Sequence, residues 1–255
     1  NVYIVGGTSA VSAAVEAALK DTPATKCFFD SIGGPTAPQT NAKLLVRRVA
    51  GENRYATNRA VVNLASQIYP FLRNNIQLEL LQPGKRTAIV ATGSSFADAL
   101  AAGPASYRGL PLILTDGTTL SADAKGALTD NDITQVIIIG GTAAVSDAVK
   151  ASIEALNGGI TTGRVFGANR YATATAWADF MAKGCVKTDG AYDCGLQYGP
   201  SSRVLLASGT NYADALAGGP LGAAVNAPIV LTDPTTLSAE TQTWLAANKA
   251  IIDNL

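Results

Sequence analysis

The sequence predicts an α/β fold built of tandem Rossmann-like repeats, each a mainly parallel sheet covered by helices on both faces. Short runs that are apolar throughout, such as VIII at 136–139, indicate strands that are buried on both sides. Glycine turns follow these runs, and segments with helical periodicity follow the turns. Strands that alternate with helices in this way are typical of parallel sheets. The same motifs return later in the chain, so the fold class applies to each copy.

Duplicated motifs divide the chain into repeats. GENRYATNRA at 51–60 returns as GANRYATATA at 167–176, and ATGSSFADAL returns at the same distance of 116 residues as ASGTNYADAL. A third motif begins the chain as VYIVGGTSAVSAAV and returns 134 residues later as VIIIGGTAAVSDAV. We therefore expect a half repeat at 1–49, a complete repeat at 50–166 and a second repeat without its GGT half at 167–255. A chain cut within a repeat also suggests a longer array.

Each repeat is expected to form the same series of elements. The GGT motif is a strand, a tight turn and a helix, and a short strand follows it at Leu44–Val49 and again at Arg164–Phe166. The RYAT motif begins the next helix. The strands predicted around the ADAL helices are Thr87–Val90, Pro111–Thr115, Arg203–Leu206 and Pro228–Thr232. Ser121 and Ser238 stand at the N-cap position of the last helix of each repeat.

Composition excludes several classes of protein. The 255 residues are 47% hydrophobic, enough for a good core in one or two domains, and the net charge is zero. A balanced charge gives no electrostatic surface for nucleic acid or anionic lipid. No apolar run approaches the roughly 18 residues of a membrane helix. The sequence begins with Asn1 rather than methionine, so we expect a processed or excised segment.

Two of the three cysteines lie close together in a segment that differs between the repeats. Cys185 and Cys194 enclose the turn-rich sequence VKTDGAYD, and we expect a local disulfide between them, which indicates an oxidising, extracellular setting. The loop is short, so this bridge would add about 2–3 kcal/mol at most. Cys27 would be left over, and a buried thiol is the alternative for all three.

The sequence predicts no catalytic residues, no metal site and no cofactor. The chain has no histidine, which excludes a Ser-His-Asp triad, a Cys-His pair and any metal site that contains histidine. The dinucleotide and P-loop glycine motifs are absent from the sequence. The turns that hold Gly7 with Thr8 and Gly141 with Thr142 open helices, so their N–H groups could bind an anion. A compact strand-to-helix turn is the alternative.

Polar residues that recur in both copies are the candidates for a binding site: Arg54, Arg170, Tyr55, Tyr171, Asp98 and Asp214. Each aspartate lies in an otherwise apolar helix, where a carboxylate needs a partner, so we expect the ion pairs Arg54–Asp98 and Arg170–Asp214. Alternatively, the arginines face a groove and bind a phosphate or carboxylate. A general acid and base pair formed by the two carboxylates across an interface is a third alternative.

Together, GxNRYATA, the ADALAAGP helix, PIVLT and VxIxGGTxAVS resemble the type 2 cell wall-binding repeat family of secreted and surface proteins. The resemblance covers nearly the whole chain outside 20–41, 69–85 and 183–202. It implies Rossmann-like modules that hold a protein non-covalently to anionic polymers of the cell envelope. It also implies an anchoring role for the family's Ile-Leu-Leu motif, which corresponds to Leu112, Ile113, Leu114, Ile229, Val230 and Leu231. Core strands are the alternative for these six residues.

We therefore expect a non-catalytic extracellular module that anchors a secreted or surface protein to the cell wall by binding an anionic wall polymer. Several weak sites on one chain would gain avidity from their linkage. The alternative is a structural surface-layer or filament protein that assembles through repeat-repeat contacts, with other copies or further repeats as its partners. An enzyme on this scaffold is a third hypothesis, because a fold does not fix a function. Nucleic acid binding and membrane insertion are not expected.

Overall fold

The computed structural model describes residues 2–26, 39–68, 86–107, 109–188 and 191–252, and it divides into two compact units, 1–61 and 62–255. The elements of the first unit are β1 (Val2–Val5), α1 (Ala13–Asp21), β2 (Pro23–Lys26), β3 (Gln39–Lys43) and β4 (Val46–Val49). Strands β1 and β4 pair in parallel, with Val2 opposite Val46, and β2 and β3 form an antiparallel pair. Helix α2 (Arg54–Ile68) follows.

The second unit contains a complete series of the expected elements. It begins with β5 (Thr87–Thr92), α3 (Ala97–Ala101), α4 (Gly103–Tyr107), β6 (Leu112–Thr115), α5 (Ala122–Asp130), β7 (Gln135–Ile139), α6 (Asp147–Glu154) and β8 (Thr161–Val165). It continues with α7 (Arg170–Ala182), β9 (Cys185–Thr188), β10 (Ala191–Cys194), β11 (Leu205–Ser208), α8 (Ala213–Ala224), β12 (Ile229–Thr232) and α9 (Ala239–Ile252).

A parallel four-stranded sheet lies at the centre of the second unit, in the order β6-β5-β7-β8. Ile89 of β5 lies opposite Leu112 on one side and Ile137 on the other. The chain therefore passes from β5 to β6 on one side and then crosses back to form β7 on the other side of β5, which makes a topological switch point between β5 and β7. Strands β11 and β12 form a second parallel pair, and β9 and β10 form an antiparallel pair.

Side chains of β5 point alternately into two buried clusters, one on each face of the sheet. Ile89 and Ala91 belong to one cluster, and Ala88 and Val90 belong to the other. The first cluster is closed by Trp177 and its neighbours on α7 and by residues of α3, α8 and β12. The second is closed by residues of α5 and α6. Helices thus cover both faces of the parallel sheet, and the predicted fold class is confirmed.

Equivalent residues of the two repeats contact each other where α4 packs against α8. A Cβ added to Gly103 would lie 3.4 Å from the Cα of Gly219, its counterpart 116 residues later. The rings of Phe96 and Tyr212, which are also counterparts, lie 5.7 Å apart in an edge-to-face arrangement. Glycine at the crossing lets the two helices approach closely. Contacts between equivalent residues therefore join the two repeats.

The serine caps of the helices agree only in part with the sequence prediction. Ser121 caps α5, because its hydroxyl accepts a hydrogen bond from the Ala124 N–H at 3.1 Å. Ser146 caps α6 in the same way through the Val149 N–H. The Ser238 hydroxyl instead accepts from the N–H of Asp233 at 3.0 Å, so it fixes the preceding loop. No described helix is long and apolar enough to span a bilayer.

Candidate functional site

The carboxyl ends of β5, β6, β7 and β8 meet at one edge of the central sheet, and the loops that follow them line an open cleft of about 640 Å³. Ligands of open α/β sheets bind at this edge, beside the switch point. The polar groups of the cleft come from all four loops and from the start of α7: Ser94, Ser95, Asp116, Thr118, Thr142, Asn169 and Arg170. The cleft is therefore the candidate functional site.

The GGT turn after β7 forms one wall of the cleft and is held by an arginine. The Arg164 Nη1 donates to the carbonyl oxygens of Gly140 at 2.9 Å and Val145 at 2.8 Å. Gly140 has a φ of +108°, a conformation that favours glycine. Arg164 was not among the residues predicted from the sequence, although Arg48 occurs 116 residues before it, at the distance that separates the other repeated motifs. In the first unit the Arg48 Nη1 donates to the Gly6 oxygen at 2.7 Å.

The GxNRYAT motif fixes the start of α7 at the cleft. Asn169 is the N-cap, since its Oδ1 accepts from the N–H groups of Tyr171 and Ala172, both at 3.0 Å. The Thr173 hydroxyl accepts from the Gly167 N–H at 3.1 Å. A Cβ on Gly167 would lie only 2.4 Å from the Ala172 Cβ, so the motif needs glycine. The conformation that this motif imposes places Arg170 at the cleft.

The first copy of the motif makes the same hydrogen bonds in the first unit. The Asn53 Oδ1 accepts from the N–H groups of Tyr55 and Ala56, at 2.8 and 3.0 Å. The Gly51 N–H donates to the Thr57 hydroxyl at 2.9 Å. Much of the repetition of this motif is therefore explained by a helix cap. Arg54, an exposed side chain, and Tyr55, a half-buried one, begin the helix that follows.

Asp98 lies in the cleft, and the guanidinium that acts on it belongs to Arg170 of the second copy. Burial raises the pKa of the Asp98 carboxyl, and the positive charge of Arg170 lowers that pKa by a smaller amount. The carboxyl packs against the GGT turn, because a Cβ on Gly140 would lie 2.6 Å from the Asp98 Oδ2. The expected partner of Asp98 was Arg54. Arg54 belongs to the first unit, so the pair Arg54–Asp98 stays a prediction, while within the second unit the packing of the repeats brings the arginine of the second copy to the aspartate of the first.

The predicted pair between Arg170 and Asp214 is not seen in the described residues. The Arg170 Nη1 donates instead to the carbonyl oxygen of Gly209, in the turn after β11. Asp214 has an exposed side chain, so its carboxylate is solvated and needs no buried partner. The reasoning that predicted the pair assumed that both ADAL helices are buried to the same extent. This assumption is wrong for α8.

The other candidate residues divide into those at the cleft and those in the core. Gly141 and the exposed Thr142 line the cleft, while Gly7 and Thr8 form the equivalent turn of the first unit. Tyr171 is half-buried, and its ring packs so closely on Gly209 that a Cβ there would lie 2.5 Å from the Tyr171 Cε1. This tyrosine therefore serves packing at least in part.

The triplets that correspond to the family's Ile-Leu-Leu motif form core strands. Ile113, Ile229, Val230 and Leu231 have no exposed surface. Leu112 and Leu114 are partly buried and pack against the core. The buried side chains cannot contact a polymer, so the structure corrects their assignment as ligand-binding residues and places them in the sheet instead. Substituting them would lower the stability of the fold.

Acidic groups of the neighbouring loops have structural roles. The Asp116 Oδ1 accepts from the N–H and the hydroxyl of Thr118, and these hydrogen bonds lower the pKa of the Asp116 carboxyl. Asp233 makes the same bonds to Thr235 in the second repeat, with the same effect on its pKa. Among the residues that the structure describes, no group of three or more His, Cys, Asp or Glu could hold a metal ion.

The side chains of the predicted disulfide, Cys185 and Cys194, lie outside the described part of the chain. Cys27 also lies outside it. The backbones of Cys185 and Cys194 are described, and they lie directly opposite each other in the β9–β10 pair. No disulfide occurs among the described side chains. The bridge therefore stays a prediction.

The fold and the cleft define a tandem α/β repeat module with a polar cleft at the switch point of its sheet. The sequence matches the profile described as "Cell wall binding domain 2 (CWB2)" at residues 48–150 and 164–252. The chain belongs to this family. It is therefore a cell wall binding module, located at the cell wall or the cell surface.

Relatives and solved structures agree with this membership. The chain is 34% identical over 219 residues to the N-acetylmuramoyl-L-alanine amidase LytC of Bacillus subtilis, a match that covers 85% of the chain and 36% of LytC. It is 29% identical over 241 residues to the amidase enhancer of the same organism, covering 94% of the chain and 25% of that protein. The chain thus spans at most 36% of the length of these relatives.

Two solved structures from Clostridium difficile share the fold. Cwp8 superposes with a TM-score of 0.62 and 24% identity, over 95% of this chain and 33% of Cwp8. Cwp6 superposes with a TM-score of 0.62 and 19% identity, over 89% of this chain and 31% of Cwp6.

Proposed function

We propose that this module anchors a secreted or surface protein to the wall non-covalently, by binding an anionic wall polymer in the cleft. Membership of the wall-binding family carries the proposal. The position of Arg170 supports the choice of an anionic ligand, because its planar guanidinium suits phosphate and carboxylate groups. The Asn169 cap and the bond to the Gly209 oxygen hold this side chain in place before a ligand arrives.

The mixed charge of the cleft favours a polymer with sugar hydroxyls as well as anionic groups. Asp98 and Asp116 would repel a bare polyanion, whereas their oxygens can accept hydrogen bonds from sugar hydroxyls. The hydroxyls of Ser94, Ser95 and Thr142 can donate to anionic oxygens near Arg170. An anionic glycopolymer satisfies both kinds of group.

We infer that the chain itself is not an enzyme, and that any catalytic activity belongs to other parts of a longer protein. The absence of histidine from the sequence supports this inference. The match to LytC also supports it, because the chain corresponds to 36% of that amidase and the same residues match a binding-domain profile. We further propose that the repeating unit is 50–166, flanked by the partial repeats 1–49 and 167–255.

The backbone register supports the proposed disulfide between Cys185 and Cys194. The Gly195 N–H donates to the Gly184 oxygen at 3.2 Å, which makes this the hydrogen-bonded pair next to the two cysteines. The cysteines then occupy a non-hydrogen-bonded pair, where side chains are closest and Cα atoms are about 4.5 Å apart. This separation lies within the range that a disulfide allows.

The alternative function is assembly into a surface layer or filament through repeat-repeat contacts. An exposed apolar group on and beside α8 favours it, with Tyr212 56%, Leu216 63% and Leu221 54% exposed. Exposed apolar patches are typical of interaction sites. Assembly and wall binding predict different behaviour of the purified chain, so one experiment separates them.

The test is a pull-down on purified cell walls before and after acid extraction of anionic polymers, at low and high salt. We expect binding that is lost with the polymer and that weakens with salt, because exposed charges are screened. Arg170→Gln should weaken binding about tenfold, whereas Arg203→Gln, which removes an exposed charge outside the cleft, should not. Equal binding to extracted walls would refute the anionic ligand. Oligomers in solution without wall binding would favour assembly.

A further inference from the structure

A second, smaller cavity lies in the second repeat, between α7, α9 and the segment 198–201. It shares no lining residue with the cleft. Its volume is about 40 Å³, and its polar side chains are Asp179, Asn226, Trp244 and Asn248 together with the hydroxyls of Tyr198 and Ser201. A water-sized group needs roughly 10–15 Å³ on this measure, so the cavity holds about three such groups. This is enough for the end of a short aliphatic chain and too little for a sugar ring.

Three hydrogen-bond donors around this cavity are used within the protein. The Trp244 indole N–H donates to the Asp179 Oδ1 at 2.6 Å. The Asn226 Nδ2 donates to the Tyr198 carbonyl oxygen at 2.8 Å, and the Asn248 Nδ2 donates to the Trp244 carbonyl oxygen at 2.9 Å. A carbonyl oxygen accepts hydrogen bonds and cannot donate them. The amide atom of Asn226 or Asn248 that contacts a carbonyl oxygen must therefore be the nitrogen.

The side chains of Asn226 and Asp179 offer acceptor oxygens to the cavity. The Asn226 Oδ1 is buried without a donor, which is costly unless a ligand or water supplies one. The carboxylate of Asp179 brings a negative charge, and Asp179 takes part in none of the ion pairs among the described residues. The half-buried indole of Trp244 offers an aromatic surface that attracts cations. An anion would be repelled here, and a cationic donor meets all three groups.

The equivalent residues of the first repeat make different contacts, although the local backbone is the same. Asn131 there donates through its Nδ2 to the Ala127 oxygen at 2.8 Å, as Asn248 does to the Trp244 oxygen. Ala127, the counterpart of Trp244, is fully buried. Asn63, the counterpart of Asp179, is bonded to Asp130 and Asn131.

The substitutions between the repeats therefore replace a small buried side chain by an indole and add acceptor oxygens. Alanine is replaced by Trp244, asparagine by Asp179, and Gly109 by Asn226. Gly109 and Asn226 both have a positive φ, +99° and +56°, so the backbone geometry is retained while an acceptor is added. Packing alone does not call for a buried acceptor without a donor.

We propose that this pocket binds a primary ammonium group carried on an aliphatic carbon. Its N–H groups donate to the Asn226 Oδ1 and to the free oxygen of the Asp179 carboxylate, and its charge lies against the Trp244 indole. The site is separate from the proposed polymer cleft, and it would let the module recognise an amine substituent of the wall. A lysine-type side chain and an amino sugar share this chemistry.

The experiment titrates n-propylammonium into the chain and follows the two indole N–H signals by NMR. The chain has two tryptophans, and Trp177 is fully buried, so its signal is an internal reference. We expect the Trp244 signal to shift in a saturable way. Propan-1-ol, a neutral probe of similar size, should cause a shift at least tenfold weaker. No saturable shift with n-propylammonium, or equal binding of propan-1-ol, overturns the proposal.

Variants test the assigned groups. Asp179→Asn keeps an acceptor for the Trp244 indole and removes the charge, and it should lower the affinity for n-propylammonium at least tenfold. Asn226→Gly restores the residue type of the first repeat and should lower it several-fold. Asp21→Asn, which removes an exposed carboxylate, is the control for net charge and should leave binding unchanged. Unchanged binding in both pocket variants, with folded spectra, overturns the assignment.

Two further probes distinguish the sources of the ammonium group. Nα-acetyl-lysine amide carries it on a flexible chain, and glucosamine carries it on a ring. The size of the cavity predicts tighter binding of the lysine probe. Competition of either probe with n-propylammonium supports the ammonium site and identifies its source, while competition by neither overturns the proposal.

Discussion

The two ADAL helices have nearly the same sequence and lie in different surroundings. Leu100 of the first helix is 8% exposed, whereas its counterpart Leu216 is 63% exposed. Asp98 is partly buried and has a raised pKa, whereas Asp214 is exposed. The difference arises because Leu100 belongs to a cluster that includes Ala215 and Ile229 of the second repeat.

The comparison shows that packing between repeats decides what a repeated residue does. One motif supplies a core leucine and a partly buried carboxylate in the first copy. In the second copy the same motif supplies an exposed apolar residue and a solvated charge. A role assigned to a motif therefore has to be tested separately in each repeat.

The largest expected effect is a difference in stability between Leu100→Ala and Leu216→Ala. Leu100→Ala removes buried methyl groups and leaves a cavity, so we expect the free energy of unfolding to fall by about 2–5 kcal/mol. Leu216→Ala removes mostly exposed surface and should change it by less than about 1 kcal/mol. Urea denaturation followed by circular dichroism measures both. Equal losses would show that α8 is covered in solution, and would make self-association of the chain the next measurement.

A smaller effect on the free energy of unfolding is expected where the GGT turn meets the partly buried carboxyl of Asp98. Gly140→Ala places a Cβ 2.6 Å from the Asp98 Oδ2 and also strains a residue with a φ of +108°. We expect a loss of about 2–4 kcal/mol. Gly158→Ala is the matched control, because Gly158 also has a positive φ, +76°, and a Cβ there would meet nothing within 4 Å.

The control should therefore lose only the strain, about 1 kcal/mol. Both variants can be measured by thermal or urea unfolding. Similar losses in the two variants would mean that the Asp98 side chain moves away at little cost. Asp98 would then be less firmly held in the cleft than its packing against Gly140 indicates.

Much of the fold could be predicted because local patterns determine it. The apolar runs predicted the strands of the central sheet and of the β11–β12 pair, although β11 begins at Leu205, two residues later than expected. The β2–β3 and β9–β10 pairs were missed because their segments occur once and have no repeat to reveal them. Arg48 and Arg164 were missed although they do repeat, because they lie in short strands outside the longer motifs.

The partner of Asp98 could not be predicted from the sequence. A repeated arginine and a repeated aspartate suggest a pair within each copy, but the sequence holds no information on which copies meet. The distance between Asp98 and Arg170 depends on how α7 packs on the β6-β5-β7-β8 sheet. Burial of residues such as Trp177 determines that packing. The pocket at Trp244 was missed for a similar reason, because its residues are distant in sequence.

The smallest effect concerns the charge of Asp98 and is tested by the pH dependence of stability. The folded state raises the pKa of this carboxyl above the usual aspartate value of 3.8, so protonated Asp98 favours the folded state. This contribution is fully present below that value and is lost as the pH rises through the raised pKa. Asp98→Asn lacks the contribution. The stability of the wild type relative to Asp98→Asn should therefore fall as the pH rises from about 3 towards 7.

Urea denaturation at several pH values measures this difference, and the titration of other carboxyls cancels between the two proteins. Asp214→Asn is the matched control, with the same change of charge at the same position of an exposed helix, and it should show no comparable trend. A relative stability of the wild type that rises with pH would contradict the prediction. It would mean that the attraction of Arg170 outweighs the cost of burial, so that Asp98 and Arg170 act as a stabilising ion pair and Arg170 is less available to a polymer.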